Sequence, residues 1–164
     1  MSRLWAPWRR VYVEGAAGAP VGCFLCEFPG AGDDAGHGIV WRWPHWYAIL
    51  NAYPYSSGHL LLVLDRHVEG FLHLEAAEQS ELAPALQRCE TALRSAYEPH
   101  GLNVGVNVGR AAGAGAVGHL HIHLVPRWNG DTNFMSAVAE TRVLPESLES
   151  SFERLRQAFE AGAP

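Results

Sequence analysis

Gly118-His119-Leu120-His121-Ile122-His123-Leu124-Val125-Pro126-Arg127 is the stretch that decides how this chain is read. Polar and apolar residues alternate, which is the period of a strand. Such a strand puts His119, His121 and His123 on one face and turns Leu120, Ile122 and Leu124 into a core. A row of imidazoles is a costly cover for a sheet, because each buried ring needs hydrogen-bond partners. Three on one face therefore point to chemistry. Alternate residues of a strand lie roughly 6.6 Å apart, and the outer two of three roughly 13 Å. A straight strand cannot bring all three rings to one metal, although two could share one. The other use is group transfer. Neutral imidazole is a nucleophile that titrates near neutral pH, and phosphorus accepts its attack to give a phosphoramidate. Flanking rings can then place oxygens, offset charge or shuttle protons.

Working outward, residues 110–118 are almost all Ala and Gly, a loop whose free amides suit close approach to a phosphate. Residues 102–108 alternate and predict a strand, and residues 60–64 form a continuous apolar run that predicts a strand buried on both faces. Residues 39–43 and 46–50, rich in aromatic and β-branched side chains, read as a hairpin around Pro44, and residues 51–58 as a turn. Leu82, Leu86, Cys89, Leu93 and Tyr97 recur at helical spacing and predict a long helix over residues 76–97. Pro84 should disturb that helix, or mark the first turn of one that starts later. Residues 146–160 read as a terminal amphipathic helix with Leu148, Phe152, Leu155 and Phe159 on one face. A last short strand is expected at residues 137–144, and loops at residues 14–22 and 29–38. Strands around one long helix, with a second helix at the end, give an α+β fold with a mainly antiparallel sheet.

The 164 residues are 48% apolar and 18% charged, which fits one domain, excludes a disordered chain and leaves no run long enough for a membrane span. The net charge of −5 argues against a general nucleic-acid coat, so no nucleic-acid or membrane partner is expected. No apolar signal core follows Arg3, Arg9 and Arg10, so the expected compartment is the cytoplasm. Three cysteines make no disulfide framework. Cys23-Phe24-Leu25-Cys26 in a reducing compartment reads as metal-binding or redox-active, and Cys89 as a small core residue.

The segment His119-Leu120-His121-Ile122-His123-Leu124-Val125 resembles the signature of the histidine triad (HIT) superfamily. Three further segments agree in order and spacing. They are Leu50-Asn51 followed by Gly58-His59-Leu60-Leu61-Leu62-Val63, then Gly101-Leu102-Asn103 with Asn107-Val108-Gly109, and the Cys23–Cys26 pair near the N-terminus. Leu4-Trp5-Ala6-Pro7-Trp8-Arg9 and residues 126–134 are similar to the bacterial branch of diadenosine tetraphosphate phosphorylases and ATP adenylyltransferases. The resemblance implies a single HIT domain over residues 1–164, with an N-terminal extension at about residues 1–38 that carries the Cys pair.

What the resemblance implies for the site is specific. His121 would attack the α-phosphorus of a dinucleoside polyphosphate and carry the nucleotidyl group, which water or inorganic phosphate then removes. His123 would contact phosphate or the ester oxygen, and His59 would support the catalytic histidine. Asn51 would bind ribose and Asn107 the phosphate region. For these two, turn capping is an equal reading of the residues alone. Segment 39–50 would supply the apolar wall of the base pocket. Cys23, Cys26, His67 and His119 would hold a structural Zn²⁺ that staples the N-terminal segment to the catalytic sheet. No organic cofactor is implied. A homodimer is, through residues 76–97 and 102–108. One departure stands out: where many HIT hydrolases carry Gln and Ser or Thr before the triad, Gly115 and Ala116 stand here. Backbone amides of that loop would have to substitute, which speaks against hydrolysis of nucleoside phosphoramidates and for the phosphorylase branch. Two rivals from other classes remain open, a nucleotide-binding regulator with weak turnover and a zinc hydrolase holding its metal on two triad histidines.

Overall fold

A computed structural model describes residues 22–113, 115–116, 118–131 and 145–162. β1 (Ile39–Arg42), β2 (Trp46–Leu50), β3 (Leu60–Leu64), β4 (Gly101–Val106) and β5 (His121–Arg127) form one sheet in the order β1-β2-β3-β5-β4. Every pairing is antiparallel. The helices are α1 (Phe24–Glu27), α2 (Asp34–His37), α3 (Ala76–Tyr97) and α4 (Leu148–Ala161). This is the expected α+β architecture. β5 enters between β3 and β4, so the histidine strand runs near the centre of the sheet rather than along an edge.

The two faces differ. Leu60, Leu62 and Leu64 of β3 join Leu120, Ile122 and Leu124 beneath α3 and α4, whose Cys89, Leu93, Phe152, Leu155 and Phe159 close the main core. On the opposite face, Leu61 and Val63 join Ile39, Tyr47, Ile49 and Leu25 of α1 in a smaller cluster. β3 is thus buried on both sides, as its unbroken apolar run requires. The apolar residues that alternate with the histidines land in the core as expected, and so do Phe152, Leu155 and Phe159 of the terminal stripe, whereas Leu148 is 39% exposed.

Several expectations change. α3 runs unbroken through Pro84. The ring costs one backbone bond, but Pro84 and Ser80, whose carbonyl loses its partner, both face solvent, where water replaces it. A capping box between Glu75 and Glu78 starts the helix ahead of the proline. The expected loop at residues 29–38 holds a 3₁₀ turn, Phe28–Gly30, and the short helix α2, which Asp33 caps by accepting from the Gly36 amide at 2.8 Å. Regular pairing of the histidine strand begins at His121, not His119. The expected strand at 137–144 and the loop at 14–21 lie outside the described residues.

Two glycines shape the approaches to the histidine face. Gly58 has φ +74, and a Cβ there would lie 2.5 Å from the Tyr97 ring. Gly118 has φ +79 and turns the chain into the histidine segment, with His67 Nε2 3.5 Å from where a Cβ would stand.

Candidate functional site

Register sets the site. His121 lies opposite Val63, and His123 lies between Leu61 of β3 and Gly105 of β4. The two imidazoles therefore share the face of the smaller cluster, with ring centroids 5.2 Å apart. Gly105 carries no side chain beside His123, and nothing stands within 4 Å of where its Cβ would be.

His121 is 3% exposed, and its Nδ1 donates to the His119 carbonyl at 2.7 Å. That bond fixes the tautomer, so Nε2 holds the lone pair. Burial pushes the His121 pKa below the ordinary imidazole value, against the opposing pull of that carbonyl. The ring stays neutral at physiological pH, the form a nucleophile needs.

His119 does different work. Its ring is 2% exposed, and Nε2 donates to the Leu64 carbonyl at 2.6 Å. Its Nδ1 then points, as an acceptor, at Cys23 Sγ at 3.2 Å and Cys26 Sγ at 3.3 Å. Burial again lowers the pKa and keeps the ring neutral. Cys26 Sγ also lies 3.3 Å from His67 Nδ1. The four donor atoms of Cys23, Cys26, His67 and His119 lie within 4.8 Å of one another. Two sulfurs and two imidazole nitrogens at this spacing suit a tetrahedral zinc, whose ligands stand roughly 3.5 Å apart. The Leu64 carbonyl supplies the outer hydrogen bond that orients a metal-bound histidine. Partial burial, and then Cys23, push the Cys26 thiol up to about 11. A divalent cation is what would draw that proton off at neutral pH. His119 is the sole triad histidine in this cluster, so the side chains do not make a metal site from two triad rings among the described residues.

Tyr47 anchors the cluster from below. Its hydroxyl donates to the Leu25 carbonyl at 2.6 Å and so ties α1 to β2. Sequence reasoning missed this residue, although a tyrosine inside an unbroken apolar strand is a sign of a buried hydroxyl seeking a partner.

The other expected residues gather around this face. His59 is fully buried with Nε2 3.0 Å from His123 Nδ1, so the ring it meets is His123 and not the His121 it was expected to support. Asn51 ends β2 beside it, with its amide nitrogen 3.5 Å from His59 Nε2, while its Oδ1 accepts from the Tyr53 amide at 2.9 Å. Turn capping is thus one job Asn51 has. Asn107 is half-buried just past β4. Ala116 packs against the smaller cluster and accepts from the His119 amide, and Gly115 is half-buried beside it.

A buried neutral imidazole, next along the strand from a metal-type cluster, has the chemistry to take up a phosphorus-centred group. The HIT domain matches residues 35–130. The AP-4-A phosphorylase of Mycobacterium tuberculosis is 36% identical over 159 residues, covering 92% of this chain and 80% of that protein. A Zn-bound histidine triad family protein from Mycobacterium smegmatis superposes with a TM-score of 0.68 at 28% identity, covering 85% of this chain and 94% of its own. An ADP-glucose phosphorylase from Arabidopsis thaliana superposes with a TM-score of 0.69 at 15% identity, over 94% of this chain and 50% of its own, a likeness of fold alone.

Proposed function

The chain belongs to the HIT family, and on that premise we propose that it cleaves the α-phosphate linkage of dinucleoside polyphosphates through a nucleotidyl group held on His121. The observation that carries this reading is the His121 Nδ1–H bond to the His119 carbonyl, which leaves the ring's lone pair on Nε2. The relative named AP-4-A phosphorylase supports the substrate class and favours phosphate as acceptor.

In this reading His121 Nε2 forms the N–P bond as the P–O bond to the leaving oligophosphate breaks. That electron pair stays on the departing oxygen. The proton on Nδ1 remains, and the His119 carbonyl facing it stabilises the positive charge the ring gains. The acceptor then attacks phosphorus and returns the N–P electrons to Nε2. Inorganic phosphate brings an anionic oxygen, whereas water loses a proton to solvent. Asn51 is assigned to ribose, Asn107 to the phosphate region, and the amides of Gly115 and Ala116 to phosphate oxygens. Ile39 and Ile49, on the triad face beside Leu61, suit an apolar base wall.

Zinc belongs to this reading as a structural ion on Cys23, Cys26, His67 and His119, where it holds α1 against the sheet. The free thiols of Cys23, Cys26 and Cys89 support a cytoplasmic setting. Residues 1–164 are taken as one domain. A homodimer is retained because β4, at the sheet edge among the described residues, exposes Val104.

The test is chromatography of products from diadenosine tetraphosphate, with and without inorganic phosphate, beside His121→Ala. ADP plus ATP only with phosphate establishes phosphorolysis. AMP plus ATP without it establishes hydrolysis. The His121→Ala variant should lose at least about 10³-fold in kcat. Full turnover by that variant overturns the nucleophile, and no wild-type turnover on any dinucleoside polyphosphate overturns the substrate class.

A further inference from the structure

A small aromatic ledge outside the triad borders the sheet face that carries His121. Phe28 packs against the buried cluster of Ile39 and Ile49 and is itself half-buried. Phe24, 45% exposed, lies 5.4 Å from Phe28, ring to ring. His37, also half-buried, stacks on Phe28 with ring centroids 4.2 Å apart at 38°. One arginine holds the ledge in shape: Arg42 Nη2 donates to the Pro29 carbonyl at 3.0 Å, and its Nε donates to Asp34 Oδ2 at 2.9 Å. The ledge also stands at the nucleoside end of the site. The Gly38 carbonyl accepts from the Leu50 amide at 2.9 Å, which sets His37 beside the strand end that leads into Asn51. Partly open rings at such a place extend the apolar base wall and offer a base a surface to stack on.

The polarity of His37 is set by the main chain. Its Nδ1 donates to the Asp33 carbonyl at 2.7 Å, so in the neutral ring the lone pair is on Nε2. We propose that His37 is a specificity-determining residue of the nucleotide site, whose Nε2 accepts a hydrogen bond from the 6-amino group of a purine stacked along Phe28. The assignment rests on the nucleotidyl-transfer reading above and adds to it the identity of the base. An acceptor at this place favours a base that brings a donor and disfavours one that brings an oxygen. Adenine carries an amino group at C6, whereas guanine and hypoxanthine carry an oxo group there. With an oxo base two lone pairs face each other, and both polar groups give up water without gaining a partner. No bond forms or breaks at His37, and its proton stays on Nδ1. The residue reads the nucleoside that passes to His121, and not the one that leaves.

Binding tests this without turnover. Calorimetry of the zinc-loaded full chain with AMP and with IMP compares an amino with an oxo group at C6. AMP should bind about five- to tenfold more tightly, the range of one hydrogen bond. In His37→Phe, which keeps a ring on Phe28 but has no lone pair, the ratio should fall below about twofold. Equal affinities in the wild type, or an unchanged ratio in His37→Phe, overturn the proposal. Long-range ¹H–¹⁵N spectra of the wild type add a readout that a merely structural residue would not move. His37 should show Nδ1–H, and its Nε2 signal should shift with AMP and stay in place with IMP. An Nε2–H signature, or the same response to both nucleotides, overturns the assignment whether or not the variant folds. Turnover of the mixed adenosine–inosine tetraphosphate then sets both bases against each other in one substrate. Attack at the adenosine end releases inosine triphosphate and attack at the inosine end releases ATP, whichever acceptor follows. The wild type should release inosine triphosphate over ATP by at least about fivefold, and His37→Phe should release the two within about twofold. Turnover with equal release by the wild type sinks the base reading alone. Discrimination of AMP from IMP without turnover of any dinucleoside polyphosphate sinks the catalytic reading and leaves the base site standing.

Discussion

Glu78 is a carboxylate buried to 3% exposure at the start of α3, and it shows how single side chains hold the site from a distance. Arg66 Nε and Nη2 donate to its two oxygens at 2.9 and 2.8 Å, and the Glu75 amide donates to it at 2.7 Å. Arg66 immediately precedes His67, so this pair fixes the segment that brings His67 to the cysteines. The Arg66 guanidinium holds the Glu78 carboxyl below the usual carboxylate range. A depressed carboxylate contributes stability that is whole above its unfolded pKa and is lost as pH falls through the folded value. Glu78→Gln should therefore cost about 1–3 kcal/mol at pH 7 in urea unfolding, and the two proteins should converge in acid. A gap that stays constant down to pH 3 would deny the charged pair its role. At this scale the sequence was legible where spacing carries meaning. His119, His121 and His123 announce a shared face, and Cys23 with Cys26 a donor pair. Glu78 and Tyr47 were not legible, because the partners of their side chains, the Arg66 charge and the Leu25 carbonyl, are brought to them by tertiary packing.

The long helix α3 illustrates what the element scale hides. Its apolar spacing is plain in Leu82, Leu86, Cys89, Leu93 and Tyr97, yet Pro84 argues for a break that does not occur. The deciding facts are the capping box at Glu75 and Glu78 and the solvent around the freed Ser80 carbonyl, neither of which a local pattern contains. Because Pro84 is exposed and still costs a backbone bond, Pro84→Ala should raise the unfolding free energy by about 1–3 kcal/mol, read from thermal and urea transitions. An unchanged or lowered stability would mean that the ring is compensated elsewhere. The strands are easier to read, because β3 is apolar throughout and β5 alternates, and each pattern has one burial that suits it. Alternation alone starts β5 two residues early. Gly118 and the bonds of His119 and Leu120 to Leu64 and Val68 hold that segment in place before the regular ladder begins.

On the scale of the whole molecule, the order β1-β2-β3-β5-β4 is not in the sequence, because which strand inserts between which depends on contacts between distant segments. One residue, His119, serves two neighbours: its ring faces the cysteines and its carbonyl holds His121. Removing zinc from the loaded protein with a strong chelator should lower the melting temperature by several degrees and abolish activity only as the fold loosens. Instant loss of turnover at unchanged melting temperature would point to a metal in the reaction itself. Tyr97 ties this molecule together at another point. Its ring fills the space that Gly58 leaves open, its hydroxyl donates to Glu146, Arg154 lies 5.0 Å over its face, and Trp128 meets it edge-on. One side chain therefore rivets the loop before His59, the exit of the histidine strand and the C-terminal helix into a single joint. Damage to the C-terminal helix, far downstream of His59, would reach the histidine face of the sheet as slack in its hinge pin.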